Sequence, residues 1–243
     1  MKSRLDELLV ARGLTDRVES ARALILAGRV TVEGVDRPTA GRPVPADARV
    51  EISAPSHPYV SRGGVKLAAA LEAFAVSVAG RVCLDVGAST GGFTDCFLQR
   101  GASRVYAVDT GYGQIDSRLR ADRRVVLREN TNARTLGPAA IPEAIAVAAI
   151  DVSFISAKRI LAPALSLLEP GGAMIVLVKP QFEARRQEVP RGGILTDRVI
   201  QDRVVSEIGA EASSLGGIAL GSMPSPILGS KGNREFLLGF TKR

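Results

Sequence analysis

The sequence predicts an α/β fold in which a largely parallel sheet, with helices on both faces, follows a small N-terminal α/β module. In the second region near-continuous apolar runs alternate with helical segments, as in strands that are covered on both faces. The first region is too small for an independent enzyme core, and a proline-rich stretch separates the two. We therefore expect a module over residues 1–55, a linker over 56–62 and a larger domain over 63–243.

Each element of the N-terminal module has a local signal. The apolar spacing at positions 5–10 predicts a short helix that ends at Gly13. Asp16 and Glu19 are spaced like a capping box, so the second helix is expected to begin at Asp16 and to end at Gly28. The strands expected next are 30–32 and 50–52. Two helices followed by a small sheet favour a binding module.

The elements of the larger domain are predicted from its apolar runs. The expected strands are 82–86, 105–109, 125–127, 145–150 and 174–178, followed by an antiparallel pair near 218–221 and 235–240. Parallel strands in one sheet end at the same edge, and ligands of α/β proteins bind there. Polar residues that follow these strands are therefore candidate site residues.

Composition excludes several classes of protein. Hydrophobic residues make up 46% and charged residues 23% of the 243 residues, which excludes disordered and fibrous chains. No apolar run reaches the roughly 18 residues of a membrane helix, and the N-terminus has no apolar signal-peptide core. The two cysteines give neither a disulfide framework nor a metal-ligand spacing. We therefore expect a cytoplasmic protein with no metal and no stable membrane association.

The net charge of +7 is compatible with a polyanionic partner. Lysine and arginine together number 32 against 25 acidic residues, and only six of the 32 are lysine. Arginine pairs with phosphate and stacks on bases, although a GC-rich genome also favours arginine over lysine. The first 60 residues are nearly neutral, with nine basic and eight acidic residues. A nucleic-acid surface must therefore come from where the arginines lie, not from their number.

A glycine-rich turn follows the first expected strand of the larger domain, in Asp85-Val86-Gly87-Ala88-Ser89-Thr90-Gly91-Gly92-Phe93-Thr94. Its Gly-x-x-x-Gly-Gly spacing differs from that of dinucleotide sites, and Asp109 closes the next strand, where a ribose would be held. This arrangement resembles the S-adenosylmethionine site of Rossmann-like class I methyltransferases. The cofactor-binding residues that the resemblance implies are Asp85, Gly87, Ala88, Ser89, Thr90, Gly91, Gly92, Phe93, Asp109 and Asp151. Asn130 is a further candidate, in a turn that contacts the adenine or the substrate or only caps the loop.

Four further ionisable residues lie at positions where α/β proteins carry out chemistry. Asp151 and Lys179 each follow an apolar strand, and Glu235 opens the last one. Lys66 stands before the sheet, in Ser61-Arg62-Gly63-Gly64-Val65-Lys66-Leu67. Ionisable groups are costly to bury, so their presence here needs a reason. A structural network of ion pairs is the alternative to a catalytic role.

The order Lys–Asp–Lys–Glu resembles the catalytic tetrad of the FtsJ-like ribose 2′-O-methyltransferases. The segments Asp-Val-Ser-Phe-Ile-Ser at Asp151 and Val-Lys-Pro-Gln-Phe-Glu at Lys179 are similar to those of the TlyA (haemolysin A) family. The N-terminal residues resemble the RNA-binding module of ribosomal small-subunit protein four. The resemblance implies methyl transfer from S-adenosylmethionine to the 2′-hydroxyl of a cytidine in ribosomal RNA, in 23S RNA alone or in 16S RNA as well, with ribosomal subunits as partners.

Chemistry and resemblance together assign roles to these residues. Lys179 is the expected base for the hydroxyl proton, because a ribose hydroxyl is a poor nucleophile. Lys66 is expected to position the ribose or to tune that base, while Asp151 and Glu235 orient the two lysines. A lysine acts as a base only when its pKa falls well below the ordinary value of about 10.4. The expected RNA-binding residues are Arg4, Arg12, Arg17, Arg22, Arg29 and Arg62.

Two other functions stay open from sequence alone. A catalytically silent RNA-binding or ribosome-assembly factor would keep the fold, but the complete tetrad favours chemistry. A membrane-active haemolysin, which the older family name suggests, would need a long basic amphipathic helix that the sequence lacks. Phe93 and Phe154 could stack on cofactor or base, or could pack in the core. Arg185, Arg186 and Arg191 lie in a polar loop that faces either the substrate or only solvent.

Overall fold

The computed structural model describes residues 2–53, 57–229 and 231–243. Residues 54–55 of the expected module and residue 56 of the expected linker lie outside the described residues, so these boundaries stay a prediction. The strands are β1 (Lys2–Arg4), β2 (Val30–Val32), β3 (Pro43–Pro45), β4 (Val50–Ile52), β5 (Val82–Val86), β6 (Arg104–Val108), β7 (Val125–Arg128), β8 (Ile145–Ile150), β9 (Leu168–Val178), β10 (Gly217–Pro224) and β11 (Phe236–Lys242). The α-helices are α1 (Leu5–Ala11), α2 (Val18–Leu26), α3 (Gly63–Ala73), α4 (Gly92–Gln99), α5 (Ser117–Ala121), α6 (Lys158–Leu167), α7 (Pro180–Glu183) and α8 (Arg198–Ser214).

The N-terminal module folds around an apolar cluster of its own. Leu5 and Leu9 of α1, Ala21 and Ile25 of α2 and Val30 of β2 are buried together in this cluster. The two expected strands, β2 and β4, pair antiparallel. A further antiparallel pair, β1 with β3, was not predictable from periodicity, because each strand has three residues and β3 both begins and ends with proline.

The start of α2 differs from the prediction. Arg17, in an extended conformation, is the residue that precedes the helix, and no side chain caps it. The Asp16 carboxylate instead accepts a hydrogen bond from the Ser20 hydroxyl at 2.7 Å. The predicted end is confirmed, since Gly28 has a φ of 72° and donates a backbone hydrogen bond to the carbonyl of Ile25.

The larger region contains a seven-stranded sheet in the order β10-β11-β9-β8-β5-β6-β7. Strand β5 is parallel to both β6 and β8, and the outer strands β7 and β9 continue this parallel pattern. Strand β11 runs antiparallel between β9 and β10. The predicted α/β fold with a C-terminal antiparallel pair is thereby confirmed.

Helices cover both faces of the sheet, as the apolar strands predict. Successive residues of a strand point to opposite faces. On β5, Cys83 packs in the cluster that contains Phe97 of α4, whereas Leu84 packs in the cluster that contains Ile160 of α6 and Ile208 of α8. The central strands are therefore shielded on both sides, and only their ends reach solvent.

The topology places the candidate residues at one edge of the sheet. The strand order reverses between β5 and β8, and this reversal opens a crevice at the carboxyl ends of the strands. Because β11 is antiparallel to β9, with Phe236 opposite Val178, Glu235 comes to the same edge as Lys179. Residues far apart in the chain thus meet beside the crevice.

Two kinds of feature are missing from the part of the chain that the structure describes. None of its helices is both long and apolar enough to cross a membrane. Its histidine, cysteine, aspartate and glutamate side chains form no group of three or more that could hold a metal ion. Cys83 and Cys96 are buried and not disulfide-bonded.

Candidate active site

The glycine-rich turn lies where the chains that follow β5 and β8 come closest. Gly87 has a φ of 88°, and a Cβ atom at this position would lie 2.2 Å from the carbonyl oxygen of Asp151. Only glycine permits that approach. Ser89 also has a positive φ, of 49°, and Gly91, with a φ of 95°, precedes α4. The glycine pattern therefore has a structural cause, which is the narrowness of the crevice.

Asp85, behind the turn, is a buried carboxylate with one unsatisfied oxygen. Its side chain is 0% exposed, and its Oδ2 accepts hydrogen bonds from the amide and hydroxyl of Thr94 at 2.8 and 2.6 Å. Its Oδ1 is buried and has no hydrogen-bond partner among the described residues. Burial raises the pKa of Asp85 to about 7, and the nearby Asp151 and Asp109 act in the same direction. The turn is therefore backed by a buried acid that only Thr94 satisfies among the described residues.

A cavity of about 360 Å³ adjoins the turn. Asp109 lies in its wall and accepts backbone hydrogen bonds from Ser89 at 2.8 Å and from Gly111 at 2.6 Å. A carboxylate has about four acceptor sites, so Asp109 can still accept bonds from a ligand. Apolar side chains, among them Val108 and Ile155, line other parts of the cavity. The cavity thus combines an apolar space with a fixed acceptor.

The four tetrad residues line a neighbouring cavity of about 210 Å³. Lys66 pairs with Glu235, and these residues are only 8% and 5% exposed. Lys179 Nζ lies 2.5 Å from Asp151 Oδ1 and donates a hydrogen bond to Ser153 Oγ at 2.8 Å. Each lysine therefore has its own carboxylate partner, and both pairs face the same space.

The two cavities are contiguous, because they share part of their lining. Gly87, Ser89 and Asp151 belong to both. Asp151 therefore connects the tetrad with the larger cavity. A ligand in the larger cavity would extend directly to the lysines.

The predicted cofactor-binding residues differ in whether they line one of the two cavities. Those that line one or both cavities are Gly87, Ala88, Ser89, Thr90, Gly92, Phe93, Asp109 and Asp151. Asp85 and Gly91 lie outside the linings and support the turn. Asn130 is exposed and lines neither cavity, because its left-handed backbone, with a φ of 52°, turns the chain there. Thr131 and Asn132 line the larger cavity in its place.

The two phenylalanines singled out from the sequence have different environments. Phe93 is 3% exposed and belongs to the apolar cluster beside α3 and α4. Phe154 is 90% exposed, has a φ of 64° and lines the larger cavity. Its ring lies 4.9 Å from that of Phe182, at an interplanar angle of 48°. An exposed phenylalanine in a left-handed conformation is costly for a fold, so Phe154 is better explained by contact with a ligand.

A buried acid holds two of the predicted RNA-binding arginines. Asp6 is 0% exposed, and Arg4 donates to its two oxygens at 3.0 and 2.8 Å. Arg22 donates to Asp6 Oδ2 at 2.8 Å. The hydrogen bond from Arg4, with that from Arg22, lowers the pKa of Asp6 to about 2. Because the Arg4 and Arg22 side chains are 45% and 53% exposed, each keeps donors directed to solvent.

The other predicted RNA-binding arginines differ in the hydrogen bonds and ion pairs that their side chains form within the protein. Arg12 donates to two backbone carbonyls at 2.7 and 2.6 Å, and Arg29 donates to one at 3.1 Å. Arg17 forms an exposed ion pair with Asp16 at 3.3 Å. Arg62 is exposed and lines the tetrad cavity, so it lies nearest to the reacting groups.

Sequence reasoning missed three contributors. Ser153 holds Lys179, and Glu183 accepts hydrogen bonds from the Ser156 hydroxyl and the Ala157 amide at 2.5 and 2.6 Å, which ties the segments after β8 and β9 together. Leu26 of the N-terminal module is 61% exposed and lines both cavities. Ser153 and Glu183 lie inside the motif segments that contain Asp151 and Lys179. Leu26 has no local signal, because its role depends on how the module meets the larger domain.

Comparison with known proteins agrees with this geometry. Residues 59–242 match the model of the family described as FtsJ-like methyltransferase. The Bacillus subtilis protein named "Putative rRNA methyltransferase YqxC" is 45% identical over 98% of this chain and 85% of its own length. The Mycobacterium tuberculosis protein named 16S/23S rRNA (cytidine-2′-O)-methyltransferase TlyA is 42% identical over 98% of this chain and 89% of its own. A solved structure described as "Putative hemolysin from Streptococcus thermophilus" superposes with a TM-score of 0.77, at 39% identity, over 99% of this chain and 88% of the other.

Proposed function

Because the chain belongs to the family of FtsJ-like methyltransferases, we propose that it methylates the 2′-hydroxyl of a cytidine in ribosomal RNA. We expect the target in 23S RNA, either alone or together with a second target in 16S RNA. One observation carries the proposal, namely that two lysine–carboxylate pairs share a cavity beside the glycine-rich turn. The names of relatives at 42% and 45% identity support ribosomal RNA as the substrate class, which in turn implies a cytoplasmic enzyme.

The larger cavity fits S-adenosylmethionine, which when bound supplies a methyl group on a positively charged sulfur. The negative charge of Asp85, which is buried behind the glycine-rich turn, suits the cationic amino-acid end of such a ligand. The remaining acceptor sites of Asp109 suit the two hydroxyls of a ribose. Thr131, Asn132 and the apolar lining would surround the base. A dinucleotide would fit poorly, since a pyrophosphate beside Asp85, Asp109 and Asp151 would be repelled.

The tetrad then handles the proton of the substrate hydroxyl. Lys179 would accept that proton on Nζ, which would leave the hydroxyl oxygen as the nucleophile. Asp151 and Ser153, at 2.5 and 2.8 Å, fix the direction of Nζ. Lys66, held by Glu235, positions the hydroxyl from the opposite pair. A positioned base of this kind accounts for about 10²- to 10⁴-fold of the rate.

The RNA itself would be held by residues outside the tetrad. Arg4 and Arg22, braced by Asp6, supply phosphate contacts from the module, and Arg62 does so at the cavity mouth. The exposed ring of Phe154 offers a stacking surface for an unpaired base next to the reacting ribose. Binding and chemistry are thus assigned to different side chains.

The test is a methylation assay with ribosomal subunits and isotopically labelled S-adenosylmethionine, read by nucleoside mass spectrometry. We expect labelled 2′-O-methylcytidine from the wild-type protein. Lys179→Met should lower kcat by about 10²- to 10⁴-fold while cofactor binding persists. Lys158→Met is the matched control, because Lys158 forms a surface pair with Glu207 outside both cavities. Label on a base rather than on a ribose, or an active Lys179→Met protein, would refute the proposal.

A further inference from the structure

Two buried amides near the tetrad have no part in the proposed proton transfer. Asn233 and Gln201 are each 2% exposed. Asn233 Oδ1 accepts from the Leu195 amide at 2.8 Å, and its Nδ2 donates to the Gly193 carbonyl at 2.8 Å. Gln201 Nε2 donates to the Leu195 carbonyl at 2.8 Å. Both backbone groups of Leu195 are therefore held by buried side chains.

The segment that these amides hold is the loop between α7 and α8. We call residues 184–196 the arginine loop, because Arg185, Arg186 and Arg191 are exposed on it. At its start Glu183 ties it to the segment after β8, and at its end Asn233 and Gln201 hold Gly193 to Leu195. Three exposed guanidinium groups are therefore carried by a loop that is anchored at both ends. RNA phosphate is the ligand that such a surface fits.

Asn233 is connected to the tetrad as well as to the loop. It stands two residues before Glu235, and its carbonyl accepts from the Gly229 amide at 2.9 Å. A Cβ atom at Gly229 would lie 2.3 Å from Glu235 Oε1, so this turn packs directly on the carboxylate that pairs with Lys66. Gln201 lies on α8 and has no comparable link among the described residues. Of the two amides, Asn233 therefore joins the arginine loop to the tetrad.

A structural anchor alone would not need this arrangement. Leu195 is itself 3% exposed, so burial of its side chain already contributes to holding the loop. A buried amide that uses both of its ends fixes one register of the loop against the Glu235 turn, because any other register leaves polar groups unpaired. The geometry thus selects a single spacing between the arginines and the Lys66–Glu235 pair.

We infer that Asn233 is a positioning residue that couples RNA phosphate binding on the arginine loop to the placement of the Lys66–Glu235 pair. The inference rests on the proposed function, since it names how that site senses its substrate. RNA bound to the loop fixes the Glu235 turn, and Glu235 in turn fixes Lys66. Without the Asn233 side chain, RNA binding on the arginine loop no longer places the Lys66–Glu235 pair.

The test compares Asn233→Ala with Gln201→Ala in the full-length protein. Each variant removes one hold on Leu195, but only Asn233→Ala also detaches the arginine loop from the turn that packs on Glu235. Both should weaken binding of ribosomal RNA, and the slope of log affinity against log salt should fall by about one for each phosphate that the loop no longer neutralises. At saturating RNA, kcat of Asn233→Ala should lie about tenfold below that of Gln201→Ala, because a misplaced catalytic group costs rate even when substrate is bound. Cofactor affinity should match the wild type in both.

Equal kcat values for the two variants at saturating RNA, or an unchanged salt slope in Asn233→Ala, would overturn the coupling. If Asn233→Ala fails to fold, Asn233→Asp keeps the acceptor for Leu195 and loses the donor for Gly193. A double-mutant cycle of Asn233→Asp with Arg186→Gln should then be non-additive in kcat/KM, and an additive cycle would overturn the inference. If the wild-type protein methylates no ribose, the proposed function fails instead, so the two failures are distinguishable.

Discussion

Asp6 in the N-terminal module and Asp85 in the larger domain are both 0% exposed, yet their surroundings are opposite. Asp6 accepts hydrogen bonds from the guanidinium groups of Arg4 and Arg22, and its pKa is lowered to about 2. Asp85 keeps one oxygen unsatisfied among the described residues, and burial raises its pKa to about 7. The first acid is satisfied by its own chain, whereas the second is not.

This contrast separates two uses of a buried charge. A paired acid whose partners are half exposed presents cations to the outside, which serves binding of a polyanion. An unpaired acid behind a cavity costs stability in the free protein, and a ligand can recover that cost. The module thus presents cations to solvent, whereas the larger domain keeps a buried acid behind its glycine-rich turn.

The largest effect should come from removing the charge of Asp85. We expect Asp85→Asn to weaken S-adenosylmethionine binding by about 10- to 100-fold, because the variant removes a buried negative charge behind the glycine-rich turn that attracts the cationic end of the ligand. Isothermal titration calorimetry at pH 8 measures this directly. Asp6→Asn serves as the control and should leave cofactor affinity within about twofold, because Asp6 pairs with Arg4 and Arg22 in the N-terminal module and does not support the glycine-rich turn. Equal losses in both variants would break the contrast.

The second effect concerns RNA binding, and here Asp6→Asn is the variant that we expect to be impaired. We expect Asp6→Asn to weaken binding of ribosomal RNA by about five- to tenfold, because Arg4 and Arg22 lose the acceptor that orients them. Simple removal of a negative charge would strengthen binding to RNA, so the direction of the change is informative. Asp16→Asn is the matched control, because Asp16 is exposed and pairs with Arg17 at the surface. Filter-binding at fixed salt measures the RNA affinity of both variants. It distinguishes the loss of arginine orientation from the mere removal of a negative charge.

Only part of this contrast between the two buried acids could be predicted from the sequence. The strands of the large sheet and the glycine-rich turn follow from apolar runs and from glycine spacing, which are local signals, whereas the tetrad was predicted from its resemblance to that of the FtsJ-like family. The bracing of Arg4 and Arg22 was not predictable, because Asp6 looks like an ordinary polar position on a short helix until the fold buries it. For Asn130 the sequence predicted a binding residue that the fold does not place in the cavity. Its left-handed backbone turns the chain, and Thr131 and Asn132 line the cavity instead. Long-range placement, as for Leu26 and Asn233, leaves no pattern in sequence.

The third effect is a pH dependence of stability from Asp85. Its folded pKa of about 7 lies above the ordinary value of 3.8, so ionisation in the folded protein is disfavoured. The free energy of unfolding should therefore fall as pH rises from about 4 to about 7 and level off above. Asp85→Asn lacks this loss, and its melting temperature at pH 8 should exceed that of the wild type by on the order of 10 °C, with no gain at pH 4. A gain of the same size at both pH values would show that the charge is not the cause.

The smallest effect comes from Asp6 and has the opposite sign. Its folded pKa of about 2 lies below the ordinary 3.8, so its contribution to stability is complete above pH 4 and is lost as pH falls from about 4 to about 2. Because Arg4 and Arg22 are about half exposed, solvent screens the pairs, and the contribution is on the order of 1 kcal/mol. Hydrogen exchange of the α1 amides, corrected for intrinsic rates, should show less protection at pH 2.5 than at pH 4 in the wild type. Asp6→Asn should lack that step, and a step that persists would assign it to another acid of the module.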